Sequence, residues 1–365
     1  MSASARTGQG SGEEGAQQRE SRLSQEAVEA VLASLEKSAD AVVQHTQTNI
    51  FDVYTFGRDL GFGVTSLVVE AEHVDTGAQR AVKIMQHGEL DSKQRERLDR
   101  EIDIHGASNH PNIVKLHEIY WTPSRVYMVL EYCDDGELFD LISSRGSLSE
   151  TEARSFMRQL VGAVSYLHEN DIAHRDIKPE NILLTNHRTV LKLGDFGFAK
   201  REIPDTPPPV FTSLRQSAVG SLGYAAPEVR SQNYTKSVDM WSVGVILYTM
   251  LVGFPPWHSE DLDELESLIV NKEVEFPSPW WDQISSQAQQ LIASCLLKDA
   301  SKRCSADEFL AHPWMLEAED DNSSAGSGSD EEGQQHSARS PTSDSHFKAS
   351  LNRSIDGLRS LSLEK

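Results

Sequence analysis

The chain has 365 residues, 38% apolar and 25% charged, enough for one large domain with tails. Its 56 Asp and Glu against 34 Lys and Arg give a formal charge of −22, which excludes wrapping duplex nucleic acid by phosphate neutralisation. The longest apolar stretch, residues 243–254, is too short to span a bilayer and reads as a buried helix, and Ser2 stands where myristoylation needs glycine. No nucleic-acid or membrane partner is therefore expected. Cys133, Cys295 and Cys304 form neither a disulfide framework nor a metal motif. With no signal-like apolar region after Met1, a reducing, cytoplasmic location is expected, with the nucleus as an alternative.

Residues 1–23, rich in Ser, Gly, Gln and Glu, read as a disordered tail. Over 24–50, Val28, Leu32, Leu35, Ala39 and Val42 recur at helical spacing behind a capping Ser24. This predicts a helical extension, either packed on the main domain or serving as a dimerisation or docking helix. Residues 54–314 are globular. Short apolar runs at 54–60, 67–73, 79–85 and 126–132, with one charged helical stretch between them, predict a small β lobe with one helix. From Glu137 onward helical periods dominate, so a larger α lobe follows, and the two meet near 131–136. Residues 315–346 read as an acidic Ser/Gly linker: 317–344 hold eight acids and one base, Arg339. The segment 347–365 recovers apolar residues and reads as regulatory or docking.

The chemistry begins at Leu60-Gly61-Phe62-Gly63, where two glycines between apolar runs allow backbone N–H groups to approach phosphates. Lys83 stands inside the apolar run Ala81-Val82-Lys83-Ile84, and a buried ammonium needs a partner, for which Glu101 is the candidate. His174-Arg175-Asp176-Ile177-Lys178-Pro179-Glu180-Asn181 is followed, fourteen residues after Asn181, by Asp195-Phe196-Gly197 and then by Ala226-Pro227-Glu228. Oxygen ligands for Mg²⁺ are available at Asn181 and Asp195. Asp176 is placed to orient a hydroxyl nucleophile and take its proton, and Lys178 and Lys83 to stabilise charge on a transferring phosphoryl group.

In order and spacing, these motifs resemble the eukaryotic protein kinases. The resemblance implies a bilobal α+β fold, with a small antiparallel β lobe carrying one helix and a larger helical lobe. It implies ATP and Mg²⁺ as cofactors and protein substrates. The Glu131 carbonyl and the Cys133 amide would meet adenine behind Leu130 as gatekeeper. Leu60, Val68, Ala81 and Leu183 would sandwich the ring, while Gly61 and Gly63 cover phosphates. Glu137 and Glu180 would serve the ribose, or hold an arginine three residues before the acceptor; Thr249 stands where some relatives carry an acid for a second arginine. Arg303 would pair with Glu228, and residues 239–244 would belong to the helix that anchors the catalytic loop.

Lys178 and Gly220-Ser221-Leu222-Gly223-Tyr224 look like a Ser/Thr kinase, with Ser221 bridging Asp176 and Lys178. A pseudokinase scaffold or a metabolite kinase are the alternatives; the intact Lys83, Glu101, Asp176, Asn181 and Asp195 argue against the first. The run from Glu131 to Asp140 resembles the calcium/calmodulin-dependent kinase group. Glu101-Ile102-Asp103-Ile104-His105-Gly106-Ala107-Ser108 is similar to the MAP-kinase-activated protein kinases. His105 falls where most kinases place an aliphatic spine residue, which makes either an inactive helix position accessible or His105 a hydrogen-bonded core residue. Ser66 replaces a third loop glycine, implying a less flexible loop, and Gly194 before Asp195 implies a looser hinge.

Ser217 stands at the spacing of an activating phosphosite, with Arg175 and Lys200 as its cations. Thr206-Pro207 and Ser340-Pro341 suit an upstream MAP kinase, whereas Ala218 after Ser217 does not, so another activating kinase is equally open. The segment 347–365 resembles a MAP-kinase docking peptide or a calmodulin-target helix, with a weakly structured tail as the third reading. Calmodulin is thus a candidate partner, and the protein is expected to be a monomer.

Overall fold

Strand β6 (Arg125–Glu131) shows how the small lobe is built. Its side chains alternate across the sheet, as the two-residue period of a strand requires. Val126 and Met128 enter one cluster with Met85, Leu98 and Ile102, whereas Tyr127 and Val129 enter another with Ile50, Tyr54 and Val82. In this computed structural model of the chain, residues 42–63, 66–86, 88, 90–201, 222–231 and 235–317 are described. The expectations for residues 1–41, Thr206, Ser217, Ser221, Ser340, the linker beyond 317 and the segment 347–365 lie outside the described residues.

The small-lobe sheet has the order β1-β5-β6-β4-β3-β2. Its strands are β1 (Val43–His45), β2 (Tyr54–Phe62), β3 (Ser66–His73), β4 (Gln79–Gln86), β5 (Leu116–Trp121) and β6. Helix α1 (Ser92–Ala107) covers one face through Leu98 and Ile102. A reciprocal cap starts it: Asp91 accepts from the Gln94 N–H at 2.8 Å, and the Gln94 side chain accepts from the Asp91 N–H at 2.9 Å.

Two features depart from the sequence reading. The helical extension expected over 24–50 fails at its described end: residues 43–45 form β1, which runs parallel to β5 with Gln44 opposite Ile119. The reason is tertiary. The Gln44 side chain accepts from the Trp121 indole N–H at 2.9 Å, and His45 stacks on Tyr120 at 4.3 Å, contacts that an extended backbone delivers and helical periodicity does not reveal. The sheet is consequently antiparallel over β2–β6 and parallel at its β1 edge. Strand β5 was not expected either. A register shift between Leu116 and Glu118 breaks the alternation that marks a strand.

The large lobe is organised around α4 (Ser237–Val252), which is buried on every side from Val238 to Leu251. Such a helix has no polar face, so it is the centre of a core rather than its cover. Around it pack α2 (Leu138–Arg145), α3 (Glu150–Glu169), α5 (Leu262–Asn271), α6 (Ser286–Cys295), α7 (Ala306–Leu310) and α8 (Pro313–Leu316). Gly253 ends α4 with φ +86°, and a Cβ there would lie 1.8 Å from the Gly146 carbonyl oxygen, so only glycine fits. Among the described residues no helix is long and apolar enough to cross a membrane. Two hairpin-like pairs, β8 (Ile182–Thr185) with β9 (Val190–Leu193) and β7 (Ile172–Ala173) with β10 (Lys200–Arg201), lie under the junction with the small lobe.

Candidate active site

The alternation of β4 fixes Lys83. Val82 and Ile84 face one small-lobe cluster, so Ala81, Lys83 and Met85 face the other side, toward α1. Lys83 Nζ donates to Glu101 Oε1 at 2.6 Å and to Asp195 Oδ1 at 2.9 Å, joining the small lobe to the turn after β9. Burial alone would lower the Lys83 pKa, but Glu101 and Asp195 outweigh it and hold the ammonium protonated. In return Lys83 holds the Asp195 carboxyl well below the usual carboxylate range, against the opposing effect of burial. Asp195 itself has φ 55°, a left-handed conformation kept by Lys83 and by the Gly197 N–H, which donates to Oδ1 at 3.3 Å.

A second cluster lies on the large-lobe side. Lys178 Nζ donates to Asp176 Oδ2 at 2.9 Å, and Asn181 Nδ2 donates to Asp176 Oδ2 and to the Asp176 carbonyl, both at 2.8 Å. Burial would lower the Lys178 pKa, but Asp176, with Glu180 and Asp195, outweighs it, so Lys178 stays a cation. With its amide nitrogen engaged on Asp176, Asn181 keeps its oxygen for a ligand, and Asp195 keeps Oδ2. Two hard oxygen donors fit Mg²⁺ that also takes phosphate and water oxygens. Among the described residues there is no cluster of three or more His, Cys, Asp or Glu able to hold a metal alone.

Asp239 on α4 carries this loop, and it is fully buried. It accepts from the backbone N–H of His174 at 2.8 Å and of Arg175 at 2.7 Å, and from His168 Nε2 at 2.9 Å. Burial would raise its pKa; these donors bring it below the ordinary value. Arg175 takes φ 68° and donates from Nε to the Phe198 carbonyl at 2.8 Å. Phe196 is completely buried between His105, stacked on it at 4.5 Å, and His174, edge-on at 5.0 Å. His105 Nε2 donates to the Val114 carbonyl at 2.7 Å, so the ring is a hydrogen-bonded core residue. Its burial pushes its pKa down to about 4, so it is neutral near pH 7. Gly194 is held on both sides, its N–H donating to the Asn181 carbonyl at 2.9 Å and its carbonyl accepting from His174 at 3.1 Å.

The expected nucleotide-lining residues ring the junction. Leu60, Val68, Ala81 and Leu183 are apolar yet only half-buried. Gly61 has open space where a Cβ would stand. At Gly63 that position lies 2.6 Å from the Ser66 hydroxyl, and the Gly63 N–H donates to the Ser66 carbonyl at 2.7 Å. The turn is thus closed backbone to backbone, and the Ser66 hydroxyl fills the space where a Gly63 side chain would stand. Cys133 is half-buried in the connection between β6 and α2. The Glu131 carboxylate, whose carbonyl was the expected group, holds Lys192 Nζ at 2.7 Å and the Lys115 N–H at 3.1 Å. Lys192 was missed, though it carries the same signal as Lys83: one lysine inside an apolar strand. Glu137 stands immediately before α2, without a side-chain bond to the helix start, and its backbone bridges to Leu183. Glu180 lies in the short turn Pro179–Asn181, with Oε2 buried and without a hydrogen-bond partner. Arg303 grips Glu228 with two nitrogens, at 2.6 and 3.0 Å. His168 was also missed, because a histidine within the helical run of α3 carries no pattern pointing to Asp239.

Residues 54–315 match the model of the protein kinase domain family. Myosin light chain kinase A of Dictyostelium discoideum is 40% identical over 271 residues, 73% of this chain and 90% of that protein. Calcium/calmodulin-dependent protein kinase type 1 of Caenorhabditis briggsae is 38% identical over 283 residues, 76% of this chain and 77% of its own length. Human serine/threonine-protein kinase DCLK3 is 38% identical over 314 residues, 84% of this chain but 46% of that protein, so the chain spans under half of that relative. Such a domain takes ATP as substrate, typically with Mg²⁺, and acts on proteins. Matched over most of its length by this domain and by these relatives, the chain belongs to the protein kinase family, as a serine/threonine kinase of the calcium/calmodulin-dependent group.

Proposed function

We propose that the protein phosphorylates Ser or Thr preceded, three residues upstream, by arginine. One observation carries this reading: the orphaned, buried Oε2 of Glu180. A buried carboxylate oxygen without a donor is costly, and an incoming guanidinium would satisfy it. Burial raises the Glu180 pKa, partly offset by its own backbone N–H and by Lys178, and a cation arriving there would lower it. Helix α2, which opens at Glu137, packs on the turn that carries Glu180, and two carboxylates shared by one guanidinium would suit a forked cation. No second upstream arginine is expected, because Thr249 is buried and its hydroxyl donates to the Val245 carbonyl at 2.8 Å.

In the transfer step, Asp176 would orient the acceptor hydroxyl and take its proton, with Lys178 offsetting charge beside it. Lys83, steadied by Glu101, would hold phosphate oxygens. Asn181 and Asp195 would hold Mg²⁺, which when bound neutralises phosphate charge and aligns the reacting group. The adenine would lie between Leu60, Val68 and Ala81 above and Leu183 below, against the Glu131–Cys133 connection.

For regulation, phosphorylation of Ser217 would be received by Arg175, Lys200 and Arg100. Burial and the neighbouring Arg175 and Arg100 already lower the Lys200 pKa, the signature of cations gathered around a site for an anion. The relatives' names favour calmodulin over a MAP kinase as the regulator acting on residues 347–365; the MAP-kinase-activated assignment rests on the resemblance of residues 101–108. The test is a peptide series in which arginine moves from three to two positions upstream, repeated with Glu180→Gln and Glu137→Ala and with and without Ca²⁺/calmodulin. Preference for the first peptide, lost in both variants, supports the reading. Equal rates for both peptides in the native protein overturn it.

A further inference from the structure

Outside the cleft, two thiols meet at the back of the large lobe. Cys295 ends α6, and Cys304 directly precedes Ser305, the residue that caps α7. Their sulfur atoms lie 3.3 Å apart, and the Cys304 N–H donates to the Ser294 carbonyl at 3.2 Å, so the two chain segments are already joined by backbone. A disulfide needs sulfurs about 2.05 Å apart, so closure requires a movement of roughly 1.3 Å, within reach of side-chain rotation. The two thiols differ in access. Cys295 is fully buried against α4, where a Cβ on Gly244 would meet its Cβ at 2.5 Å. Cys304 is partly exposed. They differ in acidity too. Either thiol can donate across this contact; a bond from Cys295 favours the thiolate at Cys304, with Arg303 adding to it against the effect of burial, whereas burial holds Cys295 as a thiol. This is the division between an attacking and a resolving cysteine.

We infer that Cys295 and Cys304 form a two-thiol oxidation site that hydrogen peroxide closes to a reversible disulfide. The Cys304 thiolate attacks one peroxide oxygen and breaks the O–O bond. The leaving hydroxide takes a proton and departs as water, and Cys304 becomes a sulfenic acid. The Cys295 sulfur then attacks the Cys304 sulfur. The sulfenic hydroxyl leaves with the Cys295 proton as a second water. Two thiols lose two electrons and two protons, and one peroxide becomes two waters.

The position gives the reaction a consequence. Arg303, next to Cys304, holds Glu228 at 2.6 and 3.0 Å and the Ser237 carbonyl at 2.8 Å. Closing the bond draws Cys304 toward Cys295 on α6, and the shift carried to the adjacent Arg303 loosens its hold on Glu228 of the Ala226-Pro227-Glu228 segment. Oxidation therefore lowers kinase activity, and reduction restores it.

The experiment treats the reduced, purified full chain with hydrogen peroxide. Free thiols should fall from three to one, with a mass loss of two hydrogens and one non-reducing peptide joining residues 295 and 304. Activity on a peptide substrate should fall by at least about twofold and return with dithiothreitol. Cys304→Ser should keep its activity under peroxide. Cys295→Ser should form no cross-link and instead oxidise Cys304 further, to a species that gains two oxygens. Folding of both variants is checked by thermal unfolding, and Cys304→Ala serves if the first is unstable. Oxidation of Cys133 first, a cross-link between chains, or an unreacted pair overturns the site. A fully cross-linked protein with unchanged activity overturns its regulatory effect. The chemical readouts do not depend on the substrate preference proposed above.

Discussion

Asp195 and Asp239 each fix one half of the catalytic apparatus, and they are held in opposite ways. Asp239 takes its donors from the backbone of His174 and Arg175 and from His168, all within the large lobe. Asp195 takes a cation from Lys83, on a strand of the other lobe, and a backbone N–H from Gly197. The Asp195 side chain is 42% exposed, whereas that of Asp239 is 1% exposed. The first arrangement belongs to the folded state of one lobe and persists whenever that lobe is folded. The second exists only while α1, β4 and the turn after β9 are in register, so it can be made and unmade without unfolding. Phe196, packed between His105 of α1 and His174 of the loop carried by Asp239, couples the two.

The sharpest test separates chemistry from stability. Asp176→Asn is expected to lower turnover by roughly 10²–10⁴-fold through loss of proton acceptance, and Asp195→Asn and Lys83→Met at least as far. Asp176→Asn and Asp195→Asn should unfold within a few degrees of the native protein, because each keeps the shape of the side chain it replaces. Lys83→Met should also lose stability, because it leaves the buried Glu101 carboxylate without its cation. Steady-state kinetics and calorimetry on the same samples check this. A large fall in Tm for Asp195→Asn would show that its network is part of the permanent core after all.

Asp239→Ala should reverse the pattern in stability. It leaves two buried backbone N–H groups and the His168 ring without their acceptor, a loss of about 3–5 kcal/mol. Denaturant unfolding monitored by tryptophan fluorescence measures it. A loss near 1 kcal/mol would mean that water replaces the carboxylate, and the contrast with Asp195 would disappear.

His105 supplies a pH test of the coupling between the two halves. Its folded pKa lies near 4, chiefly because of burial, while an unfolded histidine titrates near 6.5. Between those values the unfolded chain binds the extra proton, so stability is complete above about pH 6.5 and is lost as pH falls toward 4, by about 3 kcal/mol in total. His105→Leu should cost stability near pH 7, because the Val114 carbonyl loses its donor, yet show a flatter decline between pH 6.5 and 4. Equal slopes for both proteins would show that the ring is hydrated rather than sealed against Phe196.

The two halves also differed in how readily the chain announced them. Strands β2, β3, β4 and β6 were legible as short apolar runs between turns, and Lys83 because a charge interrupts an apolar run. Glu228 and Arg303 were paired through the family resemblance, not through any local pattern, since they are distant in sequence. Strand β1 was hidden because Val42 and Ala39 continue a helical spacing, whereas Gln44 and His45 find partners only on β5. Strand β5 was hidden by its shifted register at Glu118. The orphaned Glu180 oxygen and the adjacency of Cys295 and Cys304 are products of packing, and no periodicity encodes them.

The smallest effect is expected at that β1 edge, where the two kinds of anchoring can be compared without touching the cleft. Gln44 accepts from the buried Trp121 indole N–H at 2.9 Å, but its own Nε2 is buried without a partner. Gln44→Ala removes a favourable hydrogen bond and an unfavourable orphan together, so the two changes offset each other. The backbone pairing of Gln44 with Ile119 is untouched by the substitution. Stability should therefore fall by about 1 kcal/mol or less, with kcat and KM unchanged. A loss of turnover at constant stability would show that β1, through β5 and β6, sets the Glu131–Cys133 connection. The small-lobe edge would then belong with Asp195, among the contacts that are made and unmade during the catalytic cycle.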